Sequence, residues 1–224
     1  MSFPHEIYTE GAYFASRLPY DPQRGRLWKV LCEYLQKDIP KNPSVLELGG
    51  GYCHFINNIT AVEKHVVDLF PALPANVGPG VTAHVQSCAN LDNFDAESFD
   101  TVFASNLFEH LTREDLRATL AAVRRVLRPK GRLLIIQPNF KYCYRIYFDD
   151  YTHLQIFTEA SLSDLLLASG YRPEKVVARF LPFSLKRSGP KWTWLLRFYL
   201  ALPWRPFAGQ MYIVAGKSSG PWHK

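Results

Sequence analysis

The stretch Val45-Leu46-Glu47-Leu48-Gly49-Gly50-Gly51-Tyr52-Cys53-His54-Phe55 runs from apolar residues into three glycines and on into a segment of helical character. Glycines reach φ > 0 without a Cβ penalty and leave bare backbone against which a ligand can lie. The helix start beyond them offers unsatisfied N–H groups and about half a positive charge, which favour a carboxylate or phosphate. Such a turn is also a plain structural junction, so the acids around it matter. Glu47 interrupts an otherwise apolar run, and Asp68 ends the next apolar run, seventeen residues after Gly51. A carboxylate at the end of a second strand can accept both hydroxyls of a ribose. Leu69 follows it and can pack on an adenine face.

A second group of residues carries acid–base chemistry. Tyr147-Phe148-Asp149-Asp150-Tyr151-Thr152-His153 sets a histidine a few residues after two carboxylates, and a histidine near a carboxylate can be tuned into a base. His153 is the expected general base, with Asp149 or Asp150 orienting it, and His110 is the second choice. The competing structural reading has the two aspartates capping a loop and both histidines serving packing. These groups have no compact ligand spacing along the chain, so no metal site is expected. Cys32, Cys53, Cys88 and Cys143 are far apart with no CxxC pair, which argues against disulfides or structural zinc and for a reducing cytoplasm.

Regular elements must hold these groups in place. Asp21 and Pro22 fit the N-cap and first position of a helix over 21–38, packed by Leu27, Val30, Leu31, Tyr34 and Leu35. Strands are predicted at Ser44–Leu48, His65–Asp68, Val81–Gln86 and Phe99–Ser105. The spacing of Leu116, Leu120, Val123 and Leu127 predicts a helix over 112–128, capped by Thr112 and stopped by Pro129-Lys130-Gly131. A fifth strand at Arg132–Gln137 is nearly all apolar, as in a parallel sheet covered on both faces. A helix at Thr158–Ser169 and strands at Lys175–Leu181 and Gln210–Lys217 complete the pattern. The fold class is α/β: a Rossmann-like, doubly wound seven-stranded sheet, mostly parallel with its last strand antiparallel, and helices on both faces. Residues 1–224 are expected to form a single domain, with a helical N-terminal cap at 1–40. An aromatic and basic insertion at 182–209 is expected to border the acceptor pocket.

Two cofactors suit this scaffold. NAD wants Gly-x-Gly-x-x-Gly for its pyrophosphate, but the third position here is His54. S-adenosylmethionine has no pyrophosphate and carries two positive groups that Glu47 can favour. Glu47-x-Gly49-x-Gly51, Asp68, the run Phe99 to Leu111 and the run Val126 to Leu133 resemble the successive motifs of class I S-adenosylmethionine-dependent methyltransferases, in family order and over about residues 40–180. The run from Gln137 to His153 is similar to bacterial members acting on glycans or small metabolites. The resemblance implies that Gly49 and Gly51 pass beneath the methionine portion, with Gly50 between them in the same cofactor-binding turn, that Asp68 holds the ribose, and that Ser105 or Asn106 lies beside the cofactor. The family often has Gly-Asp-Ala after the third strand. This chain has Ser87-Cys88-Ala89, so contact with the adenine there would rely on the backbone of Cys88 and Ala89.

The net charge of +6 is uneven: ten Lys/Arg and one acid follow residue 171, against sixteen and nineteen before it. Such a bias solubilises the chain, or presents a basic face to an anionic acceptor or a membrane surface. No nucleic-acid module is recognisable, and the longest apolar run, Trp192 to Trp204, is too short to span a bilayer. The leading expectation is O-methylation of a sugar, nucleotide-sugar or phosphorylated metabolite by a monomer or homodimer, with 182–209 a further candidate for peripheral membrane contact. A nicotinamide oxidoreductase and a non-catalytic methyltransferase-like subunit are the alternatives.

Overall fold

The computed structural model describes residues 13, 16–183 and 192–218. Parts of the expected N-terminal cap and the basic residues Lys186, Arg187 and Lys191 of the insertion therefore lie outside the described residues. Helix α1 (Arg24–Leu35) buries Leu27, Val30, Leu31 and Leu35 along one stripe. It starts later than predicted, because the Asp21 carboxylate accepts the N–H of Gln23 at 2.9 Å and holds Pro22 ahead of the helix. Strand β1 (Ser44–Leu48) is buried throughout. Helix α2 (His54–Asn58), β2 (Glu63–Asp68) and β3 (Val81–Val85) follow, then β4 (Phe99–Ser105).

Helix α3 (Arg113–Val126) begins as its sequence dictates: Thr112 Oγ1 accepts the Asp115 N–H at 3.0 Å. It ends at Val126, and β5 (Leu127–Pro138) starts at once. The expected stop at Pro129-Lys130-Gly131 is therefore inside the strand. Phe99 pairs with Leu127 but Thr101 pairs with Arg132, so the segment between them bulges out and the proline breaks no ladder. A short helix α4 (Phe140–Cys143), helix α5 (Glu159–Ala168, capped by Thr158), β6 (Tyr171–Pro182), α6 (Thr193–Ala201) and β7 (Ala208–Lys217) complete the chain.

The seven strands lie in the order β3-β2-β1-β4-β5-β7-β6. All neighbours are parallel except β7, which runs antiparallel to both β5 and β6. One face is covered by α3 and α5 through Leu116, Leu120, Leu162 and Leu166. The other is covered by α1, α2 and α6 through Leu31, Phe55, Leu196 and Leu200. Helix α6 is tied to α1 by the Arg197–Glu33 ion pair at 2.9 Å. Trp192, Trp194 and Phe198 face solvent. The strand order reverses between β1 and β4, and a crevice opens beyond the C-terminal ends of these strands, where such folds bind ligands.

Candidate functional site

A cavity of about 490 Å³ fills that crevice. Its floor is the β1–α2 turn. Gly49 and Gly51 have φ of +66° and +51°, which only glycine adopts freely. Gly50 has no room for a side chain, since a Cβ would stand 2.2 Å from Val66 Cγ2. The Asp68 carboxylate braces the turn by accepting the N–H of Gly51 at 2.7 Å and of Phe70 at 2.9 Å. Burial pushes the Asp68 carboxyl above its ordinary range, although these N–H groups pull it down. Glu47 lies behind the glycines. Its Oε2 accepts the Ile56 N–H at 3.0 Å, and burial pushes its carboxyl up to about 8. A positively charged ligand reverses that shift by favouring the carboxylate.

Helix α1 supplies a wall that the sequence pattern did not single out. Arg24 and Trp28 line the cavity beside Tyr52 and His54. Arg24 is buried, and desolvation lowers its pKa from the usual guanidinium value. Among the described residues no carboxylate pairs with it. The cavity therefore carries a fixed cation near the same glycine turn that Glu47 backs.

The opposite end is built from the 3₁₀ turn Phe108–His110 and the connection from α4 to α5. Glu109 is wholly buried, and its Oε2 accepts a hydrogen bond from Gln137 Nε2 at 2.8 Å. The Glu109 carbonyl accepts the N–H groups of Leu154 and Gln155, which clamps the connection against the turn. His110 and His153 then stand with ring centroids 4.9 Å apart. His153 Nδ1 lies 2.7 Å from the Tyr147 carbonyl, and His110 Nδ1 lies 3.2 Å from the Thr152 carbonyl.

The sequence-predicted residues distribute as follows. Glu47, Gly49, Gly50, Gly51, Asp68, Leu69, Cys88, Ser105, Asn106, His110, Asp149, Asp150 and His153 all line the one cavity. Ala89 is not among the lining residues; its N–H donates to the Ser87 hydroxyl at 3.2 Å. Cys88 Sγ turns toward Thr119 Oγ1 at 3.5 Å. His153 Nδ1 meets the Tyr147 carbonyl, and Asp150 Oδ1 accepts from the hydroxyl and N–H of Thr152. Burial raises the Asp150 carboxyl, but the Thr152 hydrogen bonds and the nearby His110 and His153 hold it below the ordinary value. Asn106 has φ of +49°, and Gln210 Nε2 of β7 donates to its Oδ1 at 3.0 Å. Glu109 and Gln210 were missed because their roles depend on partners far along the chain. Phe183 brings the start of the 182–209 segment to the cavity rim.

A doubly wound sheet with one antiparallel strand at this position, a glycine turn backed by a carboxylate and an acid closing the second strand define a nucleoside-binding α/β enzyme. Residues 20–176 match the methyltransferase domain family, and the chain belongs to that family. It is an S-adenosylmethionine-dependent methyltransferase. Solved structures agree on the fold. A chain of the Haloferax volcanii complex containing the Trm112 methyltransferase activator superposes with a TM-score of 0.71 at 15% identity, covering 97% of this chain and 100% of its own. An S-adenosylmethionine-dependent methyltransferase from Archaeoglobus fulgidus gives 0.63 at 18% identity, covering 85% and 94%. The Burkholderia thailandensis 1,6-didemethyltoxoflavin N1-methyltransferase gives 0.57 at 19% identity, covering 95% and 84%. No curated protein matches by sequence. Among the described residues no helix is long and apolar enough to cross a membrane.

Proposed function

We propose that the protein methylates a hydroxyl group of a small molecule held between the glycine turn and the Glu109–His110–His153 cluster. The observation that carries this reading is the single cavity lined by both ends: a cradle for the cofactor and a buried imidazole–carboxylate group facing the same space. S-adenosylmethionine supplies a methyl group already activated on a sulfonium. Gly49, Gly50 and Gly51 support its methionine portion, Asp68 takes the ribose hydroxyls, and Arg24 pairs with its carboxylate. Glu47 favours its positive charge from behind the turn. Leu69 covers the adenine, with Ser105 and Asn106 alongside.

The protein's own part is then alignment, exclusion of water and ionisation of the acceptor. The acceptor oxygen forms the O–C bond with a lone pair, the C–S bond breaks, and its electron pair returns to sulfur as S-adenosylhomocysteine. The hydroxyl proton passes to bulk water. His153 and His110 are the groups assigned to promote that ionisation, while Asp150, through Thr152, positions His110; Asp149 lines the acceptor end. The four cysteines are buried free thiols, which supports a reducing compartment.

The test is a screen of diols, catechols and sugars for formation of S-adenosylhomocysteine, with the methyl located by mass spectrometry and NMR. A product methylated on oxygen supports the reading. Methylation of nitrogen or carbon overturns the acceptor class, and full turnover by His153→Ala removes that residue's role.

A further inference from the structure

We propose that Glu109, His110 and His153 bind one divalent transition-metal cation at the acceptor end of the cavity. This rests on the reading that the cluster activates the acceptor, and it supplies the means. One ligand atom from each of the three lies within 4.8 Å of those of the other two, and all three side chains are buried. Ligands sharing one metal at about 2.0–2.2 Å stand roughly 3–3.6 Å apart, so an adjustment of about an ångström closes the set.

Hydrogen bonding fixes the chemistry of each donor. The Thr152 hydroxyl donates to Asp150 Oδ1 at 2.6 Å, so toward His110 Nδ1, 3.0 Å away, the Thr152 oxygen acts as an acceptor. The Thr152 carbonyl is a second acceptor for the same nitrogen. His110 therefore carries its proton on Nδ1. The same logic holds for His153, whose Nδ1 faces the Tyr147 carbonyl. Both rings are thus set in the tautomer whose Nε2 is a lone-pair donor, and His110 Nε2 stands 3.9 Å from Glu109 Oε1. Gln137 holds the other oxygen of Glu109. Backbone carbonyls anchoring the far nitrogen of each imidazole, and an amide anchoring the carboxylate, are the usual supporting shell of a metal site.

Two imidazoles and one carboxylate suit Zn²⁺, Fe²⁺, Co²⁺, Ni²⁺ or Mn²⁺ better than Mg²⁺ or Ca²⁺, which prefer all-oxygen shells. Three ligands on one side leave open positions toward the cavity. A hydroxyl held there loses its proton to water more readily, because the cation stabilises the oxyanion. An acceptor with a second oxygen beside the reacting one, such as a catechol or a vicinal diol, can occupy two of those positions.

The experiment uses chelator-treated full-length protein titrated with Co²⁺, followed by visible absorption and calorimetry. One equivalent is expected, with a d–d band of mixed imidazole and oxygen ligation. His153→Ala, His110→Ala and Glu109→Gln should each weaken binding by more than the 10- to 100-fold typical of supporting residues, and Thr152→Val by about 10-fold. His84→Ala, outside the cluster in a pair with His65, should leave the titration unchanged. Thermal shifts with S-adenosylhomocysteine monitor folding and the cofactor site in every variant. If the cofactor binds but Co²⁺ binding is absent, or survives all three ligand substitutions, the cation is overturned. The cluster's part in acceptor activation is tested separately: in the acceptor screen, chelator-treated protein that keeps full turnover while His153→Ala loses it leaves that part standing without the metal. His153→Ala with full turnover overturns both.

Discussion

Glu47 is a carboxylate embedded in the sheet, and its titration is a measurable consequence of the site. Burial is the main cause of its rise from 4.5 to about 8, and Asp68 adds to it. The native protein therefore binds a proton that the unfolded chain has released, and stability falls as pH rises from 4.5 through 8. His54 acts in the opposite sense: burial and Arg24 push it from 6.5 down to about 4, so stability rises with pH across that range. The two oppose each other below 6.5, and Glu47 acts without that opposition between 6.5 and 8. Thermal denaturation should show Tm of the cofactor-free protein declining over that upper window, and Glu47→Gln should flatten the decline. Cofactor binding at pH 7 should release up to about one proton, seen as a buffer-dependent enthalpy in calorimetry. Arg24 makes a second residue-scale prediction. Removing a charged hydrogen-bond partner costs about 1.5–3 kcal/mol, so Arg24→Met should raise the Kd for S-adenosylmethionine about 10- to 100-fold. An unchanged affinity would dissociate Arg24 from the cofactor.

At the scale of elements, the joint between β1, α2 and β2 decides whether the cradle exists. Gly50 stands so close to Val66 of β2 that even one methyl group cannot fit. Gly50→Ala should cost about 1–3 kcal/mol as an overpacked core position. That corresponds to a fall in Tm of roughly 2–4 °C per kcal/mol for a chain of this size. Adding Val66→Ala should recover part of the loss, because it removes the obstructing methyl; circular dichroism melts of the single and double variants check both. The elements themselves were legible wherever periodicity and capping agreed. Strands β1 and β4 fall at their predicted bounds, and Thr112 caps α3. The start of β5 was hidden, because Pro129 and Gly131 are helix-stop signals whose accommodation in a bulge depends on β4 lying alongside. The run Trp192 to Trp204 was visible in sequence as apolar, but the docking of α6 on α1 depends on Leu196 and Leu200 meeting Leu27, Val30 and Leu31, which are remote in the chain.

At the scale of the whole molecule, the cavity joins the two ends of the fold, and ligand linkage reports on it. At a hundred times Kd, S-adenosylmethionine or its demethylated product should add about 2.7 kcal/mol of stability. For this size that is roughly 5–10 °C in Tm. NAD should give no shift, since a histidine stands where the third glycine of its fingerprint belongs. A shift with NAD and none with the sulfonium nucleoside would contradict the assignment of the cradle.

The chain's own order of residues determined the class: the apolar runs, the glycine turn, Glu47 and Asp68 are local features, each a few residues long, and their succession identifies a methyltransferase of the Rossmann-like kind. Local spacing also supplied His110, His153 and the two aspartates as candidates. Tertiary structure alone decided what these groups do together. His110 and His153 are separated by α3, β5 and α4, and the clamp on the Glu109 carbonyl, with the contacts of Thr152 to His110, brings them onto one wall. The Tyr147 and Thr152 carbonyls, with no signature in sequence, meet the two imidazoles, and Arg24 lines the cavity beside the glycine turn because α1 packs across the sheet beside α2. Short-range pattern encodes elements, while the electrostatics of a site arise from groups that meet only after the chain has closed on itself.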